Sequence, residues 1–291
     1  MKVLVTGASG VIGQNLMARF KKLEIEAIPF DIKQEMFYDI NSSEAVWDIF
    51  EKTNPDVCIH MAAQVGRFNG ENYPHLSIES NITGTLNIVK ACLNHGVKLV
   101  NFSTSEVYGH NSVFGQPDIL EQNGMYGITK LAAEGIVKHY VDTYGLKAVS
   151  IRPFMVYGPH ETPNGVFRSA LSNFIDAAMN EREISAHDGC VRAWCYMDDF
   201  IDGLLLVLNL PMDKYEAFSI GTDEYRTMEE AARIVVDTVG TGSYKVTPVP
   251  EHFVSAVKKA DFSKMRSLGH FPKITLEEGV KRTYEWMRSN L

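Results

Sequence analysis

Lys2-Val3-Leu4-Val5-Thr6-Gly7-Ala8-Ser9-Gly10-Val11-Ile12-Gly13 opens the chain. Its apolar residues follow one another instead of alternating, as in a strand covered on both faces. Three glycines then separate that strand from a helix. A phosphate approaching a helix N-terminus needs bare backbone amides, which Cβ atoms would block. The spacing assigns Gly7 to the tight turn, Gly10 to the close approach and Gly13 to the packing of helix on strand, with Val11 and Ile12 supplying amides. The next strand, Ala27–Phe30, runs into Asp31, 18 residues after Gly13. A carboxylate there accepts both ribose hydroxyls of an adenosine and repels a 2′-phosphate. The expected cofactor is therefore NAD rather than NADP.

The same rhythm continues outward. Strand-like runs at Val57–Ile59, Leu99–Phe102 and Ala148–Ile151 alternate with helical stretches at Ile12–Lys22, Ser43–Glu51, Ile78–Leu93 and Ile128–Tyr144. Such alternation predicts an α/β fold, a doubly wound parallel sheet of Rossmann type. After Arg152-Pro153 the rhythm breaks. A loop from Tyr157 to Gly165 leads to a helix over Phe167–Met179, a strand near Ala193–Met197, a helix over Asp199–Leu208 and a strand over Ala217–Ile220. Helices over Met228–Val239 and Leu276–Met287 follow. The reading is an NAD-binding domain over 1–155 and a smaller mixed α/β substrate subdomain over 156–291, with some later elements returning to the core.

Composition narrows the function class. The 291 residues are 45% apolar and 22% charged, ordinary for a globular chain that buries its own core. The net charge is -8, with no run of five like charges, which argues against nucleic acid or a polybasic membrane mode. The longest apolar run, Leu204–Leu208, is far short of a membrane span. No signal peptide is read before the first strand, so a cytoplasmic location is expected. Cys58, Cys92, Cys190 and Cys195 complete no zinc pattern and are expected as free thiols, with no metal.

Further motifs then fall into an ordered set. These are Phe30-Asp31-Ile32, Tyr38-Asp39-Ile40, His60-Met61-Ala62-Ala63-Gln64, Asn81-Ile82-Thr83-Gly84-Thr85 and Ser103-Thr104-Ser105-Glu106-Val107-Tyr108-Gly109. Tyr126-Gly127-Ile128-Thr129-Lys130, Arg152-Pro153-Phe154-Met155-Val156-Tyr157-Gly158-Pro159 and Arg192-Ala193-Trp194-Cys195-Tyr196-Met197-Asp198-Asp199 follow, then Leu276-Glu277-Glu278-Gly279. Together with the glycine spacing, they resemble the extended short-chain dehydrogenase/reductases, in particular the NAD-dependent epimerase/dehydratase family. The resemblance implies ribose and adenine contacts at Asp31, Ile32, Asp39 and Ile40. It implies a turn beneath the cofactor at Met61, Ala62 and Ala63, and nicotinamide-side contacts at Ser103, Tyr126, Lys130, Pro153 and Val156. It also implies carbohydrate metabolism, a UDP-, GDP- or dTDP-linked sugar as substrate, and a homodimer built on two helices.

Tyr126 and Lys130 stand four apart, on one face of a helix. A phenol is a poor base at neutral pH, and a nearby ammonium plus a cationic nicotinamide ring would lower its pKa. The resemblance implies that Tyr126 takes a hydroxyl proton while hydride leaves the same carbon, and that Lys130 holds the nicotinamide ribose. It further implies that Thr104 bonds the substrate oxygen. His60 reads as a packed histidine. Glu106 resembles the carboxylate that, in 4,6-dehydratases, removes a C5 proton, and its segment is similar to that of decarboxylases as well. Ser105 stands where some dehydratases carry an Asp.

Arg67, Ser105 and Arg192 are the expected substrate contacts, Arg192 through a diphosphate or a carboxylate. Met155 stands where many relatives carry Asn, and Lys258 and Lys259 are the nearest cations where relatives carry an Arg. The expectation is a nucleotide-sugar epimerase/dehydratase of dehydratase or decarboxylase type. The alternatives are a UDP-sugar 4-epimerase, an NAD-dependent ketoreductase or dehydrogenase, and a non-catalytic NAD-binding regulator.

Overall fold

The computed structural model describes residues 1–109, 113–114, 124–161, 169–249 and 259–291. The last four residues of the expected loop ending at Gly165, the first two residues of the helix expected from Phe167, and Lys258 lie outside the described residues, as does the Lys259 side chain.

In chain order the elements begin with β1 (Lys2–Thr6), α1 (Val11–Lys22), β2 (Glu26–Phe30), α2 (Ser43–Thr53) and β3 (Val57–His60). Next come α3 (Arg67–Asn72), α4 (Pro74–Ile78), a π-helical turn at Glu79–Gly84, α5 (Thr85–His95), β4 (Lys98–Phe102) and a 3₁₀ turn at Ser105–Tyr108. They continue with β5 (Val113–Phe114), α6 (Met125–Tyr144), β6 (Ala148–Pro153), β7 (Val156–Tyr157), α7 (Ala170–Met179), β8 (Glu183–His187), β9 (Val191–Ala193) and β10 (Cys195–Tyr196). The remainder are α8 (Met197–Leu208), β11 (Ala217–Ile220), β12 (Tyr225–Thr227), α9 (Met228–Val239), β13 (Ser243–Thr247), β14 (Lys259–Ala260), α10 (Ser263–Ser267) and α11 (Leu276–Asn290).

Six strands form one sheet in the order β11-β6-β4-β3-β1-β2, the expected doubly wound Rossmann arrangement. β1 pairs in parallel with both β2 and β3, and β3–β4 and β4–β6 are parallel too. Leu4, Ile59, Leu99 and Val100 are fully buried, which is why these strands read as unbroken apolar runs. The chain leaves β1 towards β2 and returns on the other side of β1 as β3. The strand order thus reverses at β1, and folds of this kind bind ligands at the carboxyl ends of the strands beside such a reversal.

Contacts divide the chain into two compact units. The first holds Met1–Gly109, the described part of Leu120–Arg152, and Val207–Phe218. The second takes the described parts of Pro153–Leu206 and Ser219–Leu291, with the short β5. Within the second unit Leu171, Ile175, Trp194, Val235, Val280 and Met287 share a core. Thr227 caps α9 in a reciprocal box with Glu230. The strand expected near Ala193–Met197 is two shorter ones, because Ala193 pairs with Tyr225 while Cys195 pairs with Val156, and α8 already starts at Met197. β8 and β13 pair in parallel, and the sequence reading had neither.

Candidate active site

In the first unit, the candidate residues follow the carboxyl ends of neighbouring strands. Gly7 has φ +72°, and a Cβ on it would lie 2.7 Å from the Ala62 amide nitrogen. The loop after β1 thus passes directly against the loop after β3. Gly13 packs against the loop rather than against the strand, since a Cβ there would lie 2.4 Å from the Gly7 carbonyl oxygen. Asp31 is buried and works as a tie: Oδ2 accepts from the Ser9 amide and Oδ1 from the Lys33 amide, both at 2.9 Å. Asp39 accepts from the Asn41 amide at 2.9 Å. Ile40 lies in the core with its side chain against Gly84, while Ile32 is exposed.

A directed chain of hydrogen bonds fixes the floor. The Met61 and Ala62 amides both donate to Thr6 Oγ1 at 3.1 Å, and Ala63 follows them in the half-buried loop. Thr85 Oγ1 donates to the Asn81 carbonyl at 2.7 Å, so it accepts from His60 Nε2 at 3.1 Å. That leaves His60 Nδ1 to accept from the Thr6 hydroxyl at 2.8 Å. Burial, and the Lys130 ammonium, push this imidazole down to about 3, so it is a neutral packing group and not a base. The π-helical turn, which interrupts the helix expected over Ile78–Leu93, presents Asn81 both to Gln64 and to Thr129 Oγ1.

Lys130 lies close enough to His60 to act on its imidazole, and Tyr126 stands on the same helix. Thr104 Oγ1 accepts from the Glu106 amide at 3.2 Å. Its own proton is thereby available to the Tyr126 phenol, with which it shares a hydrogen bond. Tyr126 and Lys130 are buried on one face of α6. Burial moves both away from the charged form. The phenol is pushed well above its usual value, with the Glu106 carboxylate adding to the rise and the Thr104 bond opposing it. The ammonium is lowered to about 8, against the pull of Glu134. The expected lowering of the Tyr126 pKa is thus not produced by the protein's own groups. Ser103 Oγ, at the end of β4, is buried without a hydrogen-bond partner, and Ser105 is buried beside it.

α3 organises this group, and the sequence reading had no helix there. Gly70 lets α3 approach α6 so closely that a Cβ would lie 2.8 Å from the Tyr126 amide. Glu71 accepts from the Met125 amide at 2.9 Å, capping α6 in place of a residue at Gly124. Arg67, expected as a loop cation, is the first residue of α3, and its Nε donates to Glu106 Oε2 at 2.7 Å. Arg192, Pro153 and Val156 belong to the second unit. There, Arg192 is buried in β9 with Nη1 on the Val191 carbonyl at 2.8 Å. Pro153 closes β6, and Val156 pairs with Cys195.

These features fit a dinucleotide. The 12-residue helix α1 carries no side-chain cap and no acidic residue in its first turn, so its N-terminus is left for an anion. The unpartnered Ser103 hydroxyl offers a further polar contact. The model of the NAD dependent epimerase/dehydratase family matches residues 3–221. The chain belongs to this family. NAD is the family's cofactor, and its members are nucleotide-sugar epimerases and dehydratases.

Two curated relatives and one solved structure illustrate the likeness. A UDP-glucuronate 4-epimerase of Thermodesulfobacterium geofontis is 33% identical over 87% of this chain and 79% of its own length. A dTDP-D-glucose 4,6-dehydratase of Mus musculus is 28% identical over 99% of this chain and 89% of its own. The crystal structure of Thermus thermophilus UDP-glucose 4-epimerase in complex with NAD superposes with a TM-score of 0.89 at 26% identity, covering all of both chains. Among the described residues, no helix is long and apolar enough to cross a membrane, and no His, Cys, Asp and Glu group could hold a metal.

Proposed function

We propose that this family member acts on a nucleotide sugar by transient oxidation at sugar C4, followed by chemistry at C5. The observation that carries the reading is a carboxylate next to Thr104 and Tyr126: the Glu106 amide donates to Thr104 Oγ1 at 3.2 Å, and its side chain is close enough to Tyr126 to raise the phenol's pKa. NAD⁺, when bound, supplies the hydride acceptor and a positive charge that offsets the burial of the phenol. Tyr126 takes the hydroxyl proton as the carbon gives up hydride, Thr104 steadies both oxygens, and Lys130 binds the ribose. The C4 ketone acidifies the neighbouring C–H, and Glu106 removes that proton. The amides of Val11 and Ile12 face the pyrophosphate, and Asp31 takes the adenosine ribose. Arg67, Ser105 and Arg192 contribute to sugar-nucleotide binding.

A 4-epimerase is the second reading, because a carboxylate already held by Arg67 is a weaker base. Single-turnover incubation with UDP-glucose, UDP-glucuronate, dTDP-glucose and GDP-mannose separates the two. A 4-keto-6-deoxy product, formed as the C6 hydroxyl leaves as water and the hydride returns from NADH to C6, or a decarboxylated product that has lost its carboxylate as CO₂, supports the first reading. A C4 epimer as the sole product supports the second.

The same reading includes a homodimer. Phe68, Leu76, Ile78 and Ile128 are exposed apolar residues on α3, α4 and α6 of one unit, and exposed Tyr73 joins α3 to α4. A second copy of this chain would cover them. Light scattering at micromolar concentration is expected to return twice the 32.6 kDa chain mass, and a monomer would remove this part of the proposal.

A further inference from the structure

Four charged or phenolic groups near Tyr126 and Lys130 form a second system, largely buried, that the proposed chemistry does not use. Glu134 lies on α6, one helical turn beyond Lys130. Its carboxylate receives the Arg152 guanidinium as a fork: Nε donates to Oε1 at 2.8 Å, and Nη2 to Oε2 at 2.6 Å. The third arm, Nη1, donates to the Tyr108 hydroxyl at 2.7 Å, and the guanidinium also lies over the Tyr108 ring, 4.9 Å from its centroid. Tyr215 donates from its hydroxyl to Glu134 Oε2 at 3.3 Å and is within 3.0 Å of Ser150 Oγ. The side chains of Arg152 and Glu134 are 10% and 4% exposed.

A buried ion pair is an expensive way to stabilise a fold, since well-packed apolar residues often do as well or better. What it provides is a rigid geometry with no freedom left in the guanidinium fork. Here the fork joins three segments. They are the end of β6 through Arg152, the middle of α6 through Glu134, and the 3₁₀ turn through Tyr108. That turn begins next to Thr104 and contains Glu106. α6 begins with Tyr126 and Lys130.

We propose that Glu134 and Arg152 are a positioning pair, locking the face of α6 that carries Tyr126 and Lys130 against the strand end and turn that carry Thr104 and Glu106. The proposal rests on the reading above that these four residues act together. It adds that Glu134 has two tasks, holding Arg152 on one side and serving as the anionic neighbour of Lys130 on the other.

Electrostatics agrees with that placement. The groups facing Glu134 are Lys130 on its own helix, Arg152 from β6 and Tyr215 from the segment before β11. Tyr108 reaches it only through Arg152. Lys130 is lowered to about 8 by burial, and Glu134 is the group that opposes the fall. Without that carboxylate, Lys130 would lose its proton at a still lower pH.

The test uses the full-length protein, with lysine carrying a ¹³C label at Cε and the Lys130 signal identified by its loss in Lys130→Met. Glu134→Gln preserves shape and removes charge. Its Lys130 titration is expected to move down by at least one pH unit. The alkaline limb of the single-turnover NADH signal is expected to move with it. A folded Glu134→Gln protein whose titration is unmoved would overturn the proposal. If Glu134→Gln does not fold, Glu134→Asp replaces it, keeping the charge while drawing the carboxylate out of the fork. Its Lys130 titration should stay within half a unit of wild type while kcat falls at least tenfold with KM unchanged. Wild-type kcat would overturn the proposal. Tyr108→Phe, which keeps the pair but removes the third tie, should lower kcat without moving the titration. Absence of NADH in the wild type with every sugar nucleotide would instead remove the functional reading, and the titration arm would still decide the role of Glu134.

Discussion

Arg67, the first residue of α3, holds Glu106 on the turn after β4. Its Nε donates to Oε2 at 2.7 Å, and Nη2 reaches the same oxygen. The two side chains are 24% and 19% exposed, so water screens the pair only in part. An arginine on a carboxylate favours its ionised form and lowers its strength as a base. Arg67 therefore couples the proposed C5 base to the helix that supports Tyr126.

This coupling separates the effects of three variants. Tyr126→Phe removes the proton acceptor for the first oxidation, and no NADH is expected in a single turnover. Glu106→Gln leaves the oxidation possible but removes the second base, so NADH should form and persist. Its turnover should fall by about 10²–10⁴-fold, the usual contribution of a positioned base. Arg67→Met releases Glu106 and is expected to keep NADH formation while changing the rate of the second step. Product analysis by NMR reads all three. Normal turnover in Glu106→Gln would make the carboxylate a bystander and favour the 4-epimerase reading.

Asp31 predicts a paired effect. Its carboxylate ties the glycine loop through the Ser9 amide, in addition to its proposed ribose contact. Asp31→Ala should relax the preference for NAD over NADP and also loosen the loop, lowering stability by about 1 kcal/mol. Cofactor titration and urea unfolding measure the two separately. Equal wild-type affinity for NAD and NADP would show that Asp31 does not discriminate.

Two buried groups set a pH dependence of stability. His60 is held down to about 3 against an ordinary 6.5. Between those values the unfolded chain binds the proton and the folded chain does not, so stability falls as pH drops through this window. Lys130, lowered to about 8 from 10.5, acts in the same sense at the other end, so stability rises as pH climbs through that interval. Lys130→Met should be more stable than wild type at pH 7, by on the order of 3 kcal/mol. The difference should vanish near pH 10.5, the lysine's ordinary value. Urea midpoints at several pH values check both slopes.

Met155 occupies a left-handed backbone conformation, with φ +45°. Asn tolerates this region and β-branched residues do not. Met155→Asn should therefore stay within about 1 kcal/mol of wild type. Met155→Val should cost about 2 kcal/mol or more. Thermal midpoints that are equal for the two variants would show that backbone strain does not decide this position.

The sequence by itself determined whatever depends on local spacing. The glycine loop, the unbroken apolar runs of the buried strands, Asp31 just after the second of them and the four-residue spacing of Tyr126 and Lys130 can all be read along short stretches of chain. Chain folding decided the rest, because it depends on segments distant in sequence that no local period connects. Glu71 caps α6 across 54 residues, and Arg67 meets Glu106 across 39. The split of one expected strand at Trp194 arises because its two halves find different partners. The elevated Tyr126 phenol is a tertiary outcome too. Spacing put a lysine on its face, but burial, which only the packed structure sets, dominates the shift, and the Glu106 carboxylate adds to it.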